Sequence, residues 1–471
     1  NYFSHYAQSD CVSYIYTDAN APERRQLMLR EQLWFDFCDD LPIEIEQRID
    51  EGILEAERFK ERAEQVKEMP RGAARTAAGA ELLEQLCALE NPKDEDEPSD
   101  LPGIKAASVG EPKEKAEADC DKIYGAWLGR CAGCLLGQPV EGWRRARING
   151  LLKETGNLPL QNYISSDIGP VLREKYNVRD DGHAYGAEKT GWINNVSYMP
   201  EDDDTNYTLI ALKLVEQYGR DFTPDDAAEN WLMNLPLLHL CTAERVAYIN
   251  LAQSVFPPES ALYRNPYREW IGAQIRGDLF GYICPGDMET AAEMAWRDAS
   301  ISHVKNGIYG EMWIASMLAK AAVNDDMPTI IRSGMKQIPK KSRLYEELAE
   351  ILSRFESGDT AEETKAYILG KYDENNQHHW CHTVSNAAIV AMGLLWGKKD
   401  FTYTMELCLT MGFDTDCNCA TAGSVLGMVL GAQLLPEVWT APLNDRVLSG
   451  VDGFGLVHIS DMAARTQALV E

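Results

Sequence analysis

The sequence predicts an all-α fold. Apolar residues recur at helical spacing in one segment after another, few stretches alternate with period two, and two runs of glycine at spacing four mark helices made for close contact.

Residues 1–90 read as a charged helical region. Glu23 to Cys38 and Ile43 to Lys67 have the helical pattern, the second through Ile49, Ile53, Ala56, Phe59, Ala63 and Val66, and Thr76 to Leu89 continues it. Residues 91–118 collect Pro92, Pro98, Pro102, Gly103, Gly110 and Pro112 among acidic residues, which is the composition of a linker. A boundary near residue 118 separates this part from a domain over 119–471.

The domain opens on a glycine ridge. Gly125, Gly129, Gly133 and Gly137 stand at spacing four, and Pro139 ends the helix. Each glycine costs a helix roughly 1 kcal/mol against alanine, so close packing or close ligand approach must compensate. Glu141 follows at the helix exit, where the dipole disfavours an acid. Residues 145–200 have poor periodicity and much Gly, Asn, Pro and Asp, as in a segment lying over one face like a lid.

Glu201, Asp202, Asp203 and Asp204 come in succession before Thr205, at the head of a helix with Leu209, Leu212, Val215 and Tyr218 on one face. Like charges about 4 Å apart repel by roughly 4 kcal/mol at an effective dielectric near 20, so such a cluster, once partly buried, needs cations. Helices are then expected at 205–219, 225–231, 237–250, 271–277, 288–299, 306–322, in a broken stretch 326–370, and at 386–396, 401–411 and 418–434. Before the last stand Asp414 and Asp416; Gly423, Gly427 and Gly431 follow on one face. Acids at a helix start commonly serve as caps, and the distant second cluster brings in cation binding as the other reading.

The chain of 471 residues is 45% hydrophobic, enough for a large core. Its 74 acidic and 45 basic residues leave a net charge of -29, which argues against general nucleic-acid or acidic-membrane binding. The longest apolar runs are too short, or are broken by Arg130, to span a bilayer. The opening Asn-Tyr-Phe lacks signal-peptide character, although no initiator Met is present. Twelve cysteines are too dilute for a disulfide framework, so a reduced, cytoplasmic setting is expected.

Four motifs in order, over about residues 121–471, resemble the ADP-ribosylglycohydrolase family, which includes crystallin J1-like proteins. They are the glycine ridge closing on Pro139 and Glu141, Asp203-Asp204-Thr205 before a helix, Ser302-His303 after an alanine-rich helix, and Gly412 to Asp416 before a small-residue helix. The resemblance implies a compact orthogonal α-bundle holding two adjacent divalent ions, Mg or Mn, and hard carboxylate ligands agree with that choice. Asp203, Asp204, Asp414 and Asp416 match its metal ligands, and Glu141 matches its glutamate beside the metals. Two departures stand out: Asp202 replaces the usual Thr or Ser, and Cys417 replaces a Thr ligand. Asp202 adds a carboxylate, whereas a thiol is a softer ligand, so either Cys417 is not a ligand or the preference moves toward Mn or Zn.

Other residues have readings of their own. Gln377 to His382 looks like a zinc cluster but lacks a second paired motif, so His382, Thr383 and Asn386 are read as lining the cleft. Cys131 and Cys134 lie within the glycine helix and read as small core residues. Arg268, Trp270 and Arg276 gather in a very acidic chain, so Arg268 is a candidate for a pyrophosphate, with internal ion pairing the alternative. His303 is placed near a ligand by the resemblance, and Phe454, between two glycines, could stack on a base. The function expected is metal-dependent hydrolysis at the anomeric carbon of a terminal ribose in an ADP-ribosyl conjugate, small or protein-linked. Glu141, Asp204 and Asp416 would carry the chemistry. The alternatives are a hydrolase of another small glycoside or nucleoside, and a non-catalytic member stabilised by its metals.

Overall fold

The computed structural model describes residues 32–114, 116, 119–180 and 190–470. The protein is all-α apart from one two-stranded antiparallel ribbon, β1 (Arg446–Ser449) with β2 (Gly455–His458). Among the described residues no helix is long and apolar enough to cross a membrane.

The N-terminal region carries α1 (Leu41–Asp50), α2 (Lys60–Glu68) and α3 (Ala73–Cys87). The helix expected over 43–67 is broken where Gly52 takes φ +88° and a 3-10 turn, Leu54–Phe59, intervenes. Residues 32–38, the described part of the helix expected from Glu23, are bends and turns. The three helices enclose a small core of their own around Leu41, Ile45, Val66, Leu82 and Leu86.

The segment read as a linker is instead built into the fold. It contains α4 (Leu101–Ala107), capped by Asp100. Glu97 is buried against Arg343, the Trp296 indole donates to Ser99 O at 2.9 Å, and the Tyr309 hydroxyl donates to Pro98 O. Composition pointed to a free connection because burial of Glu97 depends on a partner 246 residues away.

The domain begins with α5 (Cys120–Gly137), α6 (Arg145–Glu154) and α7 (Pro170–Lys175). Then come α8 (Asp203–Tyr218), α9 (Pro224–Asn234), α10 (Thr242–Ala252), α11 (Glu259–Leu262) and α12 (Asp278–Tyr282). The expected helix over 271–277 is a series of turns, because Gly272 lies against the Glu244 carboxylate and Gly277 against Glu311 O, and regular helix resumes at Asp278. The chain continues through α13 (Met288–Ala299), α14 (Lys305–Ala321), α15 (Met327–Met335), α16 (Arg343–Ser357) and α17 (Ala361–Lys371). It ends with α18 (Gln377–Cys381), α19 (Thr383–Trp396), α20 (Phe401–Leu409), α21 (Thr415–Leu430), α22 (Glu437–Thr440) and, after the ribbon, α23 (Ile459–Gln467). Every residue of α14 and α19 is buried, as are Thr415 to Val429 of α21, so these helices and α5 form the centre.

The two glycine ridges turn out to face each other. Helices α5 and α21 run antiparallel, with Gly125 against Gly427, Gly129 against Gly423, Gly133 against Cys419, and Gly137 against the Thr415–Asp416 backbone. A Cβ on any of the four α5 glycines would overlap main-chain atoms of α21. This contact brings the end of α5 and the start of α21 together. Around 145–200, Trp143 packs edge-on to Trp192, and Tyr163 donates to Trp439 O at 2.6 Å, so the described part is anchored on the bundle; residues 181–189 lie outside the described residues.

Candidate metal centre

Three elements deliver acids to one place. The exit of α5 brings Glu141, the N-terminus of α8 brings Asp202 and Asp204, with Asp203 near enough to act on the Glu141 and Asp416 charges, and the N-terminus of α21 brings Asp414, Asp416 and Cys417. Ligand atoms of Glu141, Asp414 and Asp416 lie within 4.8 Å of one another; so do those of Asp204, Asp416 and Cys417, and those of Cys134, Asp202 and Asp204. The sets share Asp204 and Asp416 and form one continuous cluster.

Capping explains only part of it. Asp202 does cap α8, accepting the Asp204 N–H at 3.0 Å on Oδ1, while its Oδ2 accepts from Gln138 Nε2 at 2.7 Å. Asp414 stands at the N-cap of α21, yet its side chain makes no capping hydrogen bond. Asp204 is held on one side only: Arg130, buried in the middle of α5, donates to Asp204 Oδ1 at 2.8 Å and to Asp204 O at 2.8 Å. Among the described residues, that leaves Asp204 Oδ2, Asp414 Oδ1 and Asp416 Oδ1 buried without a hydrogen-bond partner. Buried carboxylate oxygens rarely lack a partner.

The electrostatics point the same way. Burial, then the neighbouring charges of Asp416, Asp414, Asp202 and Asp203, push the Glu141 carboxyl well above its ordinary range. Asp202 is also pushed well above its range, by burial and by Asp416 and Asp204, and so is Asp416, by burial and by Asp414 and Asp203. Asp204 follows, with Arg130 opposing the rise, and Asp414 moves up to about 7. Hard oxygen donors that repel one another and leave orphaned lone pairs fit divalent cations of the Mg or Mn kind. The Cys417 thiol, pushed up by burial and by Asp204, Asp414 and Asp416, is the weakest donor of the set.

The domain that holds this cluster is matched by the ADP-ribosylglycohydrolase family over residues 115–467. The chain belongs to the ADP-ribosylglycohydrolase family. Membership makes it a hydrolase-family protein on the all-α fold. It is also similar to a solved ADP-ribosylglycohydrolase-related protein complex, at 19% identity over 74% of this chain and 97% of that one, with a TM-score of 0.44. No curated protein matches the chain.

Three other candidates, Arg268, His303 and Phe454, are not brought to the cluster. The Arg268 guanidinium is buried in ion pairs with Glu44 at 2.6 Å and Glu51 at 2.7 Å, so the N-terminal region occupies it. His303 is a core histidine: Ser302 Oγ meets its Nδ1 at 2.8 Å, and burial with the nearby Arg276 holds its pKa well below the usual value. Arg268 and His303 both line a separate cavity of about 1070 Å³ between the N-terminal helices and the domain. Phe454 lies half-buried under the Arg465 guanidinium, 4.9 Å from the ring centre. Asn386 does reach the site, but as a support: its Nδ2 donates to Trp380 O and His382 O, and its Oδ1 accepts from Asn418 Nδ2 at 2.7 Å and from Asp414 N at 3.4 Å. Arg276 is likewise internal, paired with Asp298 and Glu244.

Sequence reasoning missed Arg130 and Gln138 as parts of the site. An arginine inside a glycine helix was the available signal, since a buried guanidinium requires carboxylate partners. Cys131 and Cys134 are buried residues of α5, as expected, and Cys134 faces Asp202 and Asp204.

Proposed function

We propose that the protein is a divalent-metal-dependent glycohydrolase that hydrolyses the anomeric bond of the terminal ribose in an ADP-ribosyl conjugate, small or protein-linked. The observation that carries this reading is the set of three orphaned buried oxygens on Asp204, Asp414 and Asp416, in a domain of this family. Asp203, Asp204, Asp414 and Asp416 would hold two Mg or Mn ions, with Asp202 and Cys417 beside them. Bound there, such ions supply charge stabilisation to the ribose and acidify water toward neutrality.

The chain's own residues do the rest. Glu141, half-buried at the edge of the cluster and raised in pKa, takes the proton of the attacking water and is suited to return it to the leaving group. Asp204 and Asp416 hold their orientation through Arg130 and through the α5–α21 contact. Gln138 fixes Asp202. Because the carboxylates serve as metal ligands, separation rules for paired-carboxylate glycosidases do not apply. The dilute cysteine usage supports a reducing, cytoplasmic setting.

Calorimetric binding of free ADP-ribose, with excess Mg or Mn and then with EDTA, tests this reading without requiring the leaving group. Metal-dependent binding in the micromolar range is expected, about -8 kcal/mol. Metal binding without ADP-ribose binding would move the substrate to a simpler glycoside or nucleoside, and no metal binding would overturn the reading altogether.

A further inference from the structure

A second group of ligand-like side chains forms where the N-terminal region meets the domain: Asp50 at the end of α1, with His378 in α18 and His382 directly after it. His382 Nε2 lies 3.3 Å and His378 Nε2 3.9 Å from Asp50 Oδ2, and the two buried rings are 4.8 Å apart. The geometry resembles a zinc site, but the tautomers oppose one. A histidine that ligates through Nε2 carries its proton on Nδ1, where it donates to an acceptor. Here both Nδ1 atoms accept instead, from the Trp270 indole at 3.1 Å and from the Val384 N–H at 3.2 Å. A ring that accepts at Nδ1 carries a proton on Nε2, which here is the side of Asp50. Arg343 also donates to Asp50 Oδ2, which puts a fixed cation where a metal would sit.

These contacts lead toward the carboxylate cluster. His382 O accepts from Asn386 N at 3.3 Å and from Asn386 Nδ2 at 3.0 Å. Asn386 in turn holds Asp414 N and Asn418 through its Oδ1, and Cys381 Sγ lies 3.6 Å from Asp414 Oδ2. The loop needs such a hold, because Gly412 and Phe413 precede Asp414 with φ +71° and +58°. A non-glycine residue in that region costs about 1–2 kcal/mol and persists where its surroundings impose it.

We infer that Asp50 is a positioning residue for the metal loop: from the N-terminal region it fixes His382 and, through Asn386, the orientation of Asp414. The inference rests on the metal-dependent reading above. The N-terminal helices thereby become a working part of the site.

The test is a Mn²⁺ titration of the full chain, reading free Mn²⁺ by electron paramagnetic resonance, with hydrogen exchange over residues 412–418 in EDTA as a metal-free readout. Asp50→Ala is expected to weaken Mn²⁺ binding about tenfold and to speed exchange in the loop. Asp50→Asn keeps a side-chain oxygen facing the two Nε2 atoms but removes the charge, so it should fall between Asp50→Ala and wild type, and it carries the comparison if Asp50→Ala does not fold. Glu51→Gln alters the next residue, whose partners are Arg268 and Lys305, and should match wild type. Unchanged Mn²⁺ affinity and loop exchange in both Asp50 variants overturn the inference and leave the metal reading standing. Equal weakening in Glu51→Gln and Asp50→Ala reduces Asp50 to a docking contact and also overturns it. Failure of wild type to bind Mn²⁺ overturns both readings.

Discussion

Gly129 and Gly423 meet backbone to backbone: a Cβ built on either would overlap the carbonyl oxygen of the other. Neither helix can yield alone, because the same contact repeats from Gly125 to Gly137. Gly129→Ala is therefore expected to destabilise the protein by about 1–3 kcal/mol or more, despite alanine's better helix propensity. Gly370→Ala is the control, since nothing lies within 4 Å of its Cβ position and the residue is exposed on α17. It should be neutral or stabilising by about 0.5–1 kcal/mol, and urea denaturation of the two variants separates packing from propensity.

Replacing Asp416 by Asn, or Asp414 by Ala, should remove metal binding and turnover while leaving the metal-free protein at least as stable as wild type. Each substitution relieves repulsion among buried carboxylates whose pKa values are already raised. Wild type should gain about 2.7 kcal/mol at a metal concentration one hundred times Kd. Thermal unfolding in EDTA and in excess Mn²⁺ checks both halves; a variant that still gains stability from Mn²⁺ would contradict the ligand assignment.

Much of this architecture was legible in the sequence because it rests on local pattern. The glycine spacing gave both ridges, and the acidic runs before Thr205 and after Gly412 hold most of the carboxylates that the fold gathers. What local pattern cannot carry is partner choice. Nothing within α5 says that its ridge packs against α21, and nothing near Arg268 says that Glu44 and Glu51, more than 200 residues away, neutralise it. The same limit hid the strap over 91–114, whose proline and acid content reads as solvated until Arg343, Trp296 and Tyr309 are placed against it.

Arg268 allows the two readings of its charge to be separated. Arg268→Met would leave buried Glu44 with Arg48 and buried Glu51 with Lys305 as their remaining cations, so it should destabilise the protein by less than the roughly 3–5 kcal/mol of a fully unpaired buried charge. Because the guanidinium is committed to those pairs and does not reach the carboxylate cluster, ADP-ribose affinity at saturating Mn²⁺ should stay within about twofold of wild type. Lower urea midpoints with unchanged calorimetric affinity are the expected result; loss of affinity with stability intact would restore Arg268 as a ligand contact.

Asp40 should make the docking of the N-terminal region sensitive to pH. It is buried at the start of α1, with its Oδ1 accepting the Tyr267 hydroxyl at 2.7 Å. Burial raises its carboxyl from 3.8 to about 7, assisted by the charges of Asp39 and Asp36 and opposed by the Tyr267 hydrogen bond. A folded pKa above the unfolded value means that the stability this group contributes is fully present below about pH 4 and is lost as pH rises through about 7. Asp40→Asn keeps the acceptor for Tyr267 and cannot ionise. The variant should therefore match wild type at pH 4 and exceed it at pH 8, by at most about 4 kcal/mol. Urea midpoints of the two proteins from pH 4 to pH 8 provide the measurement: the gap should widen as pH rises to about 7 and then level off, and parallel curves would show that Asp40 ionises in the fold without penalty.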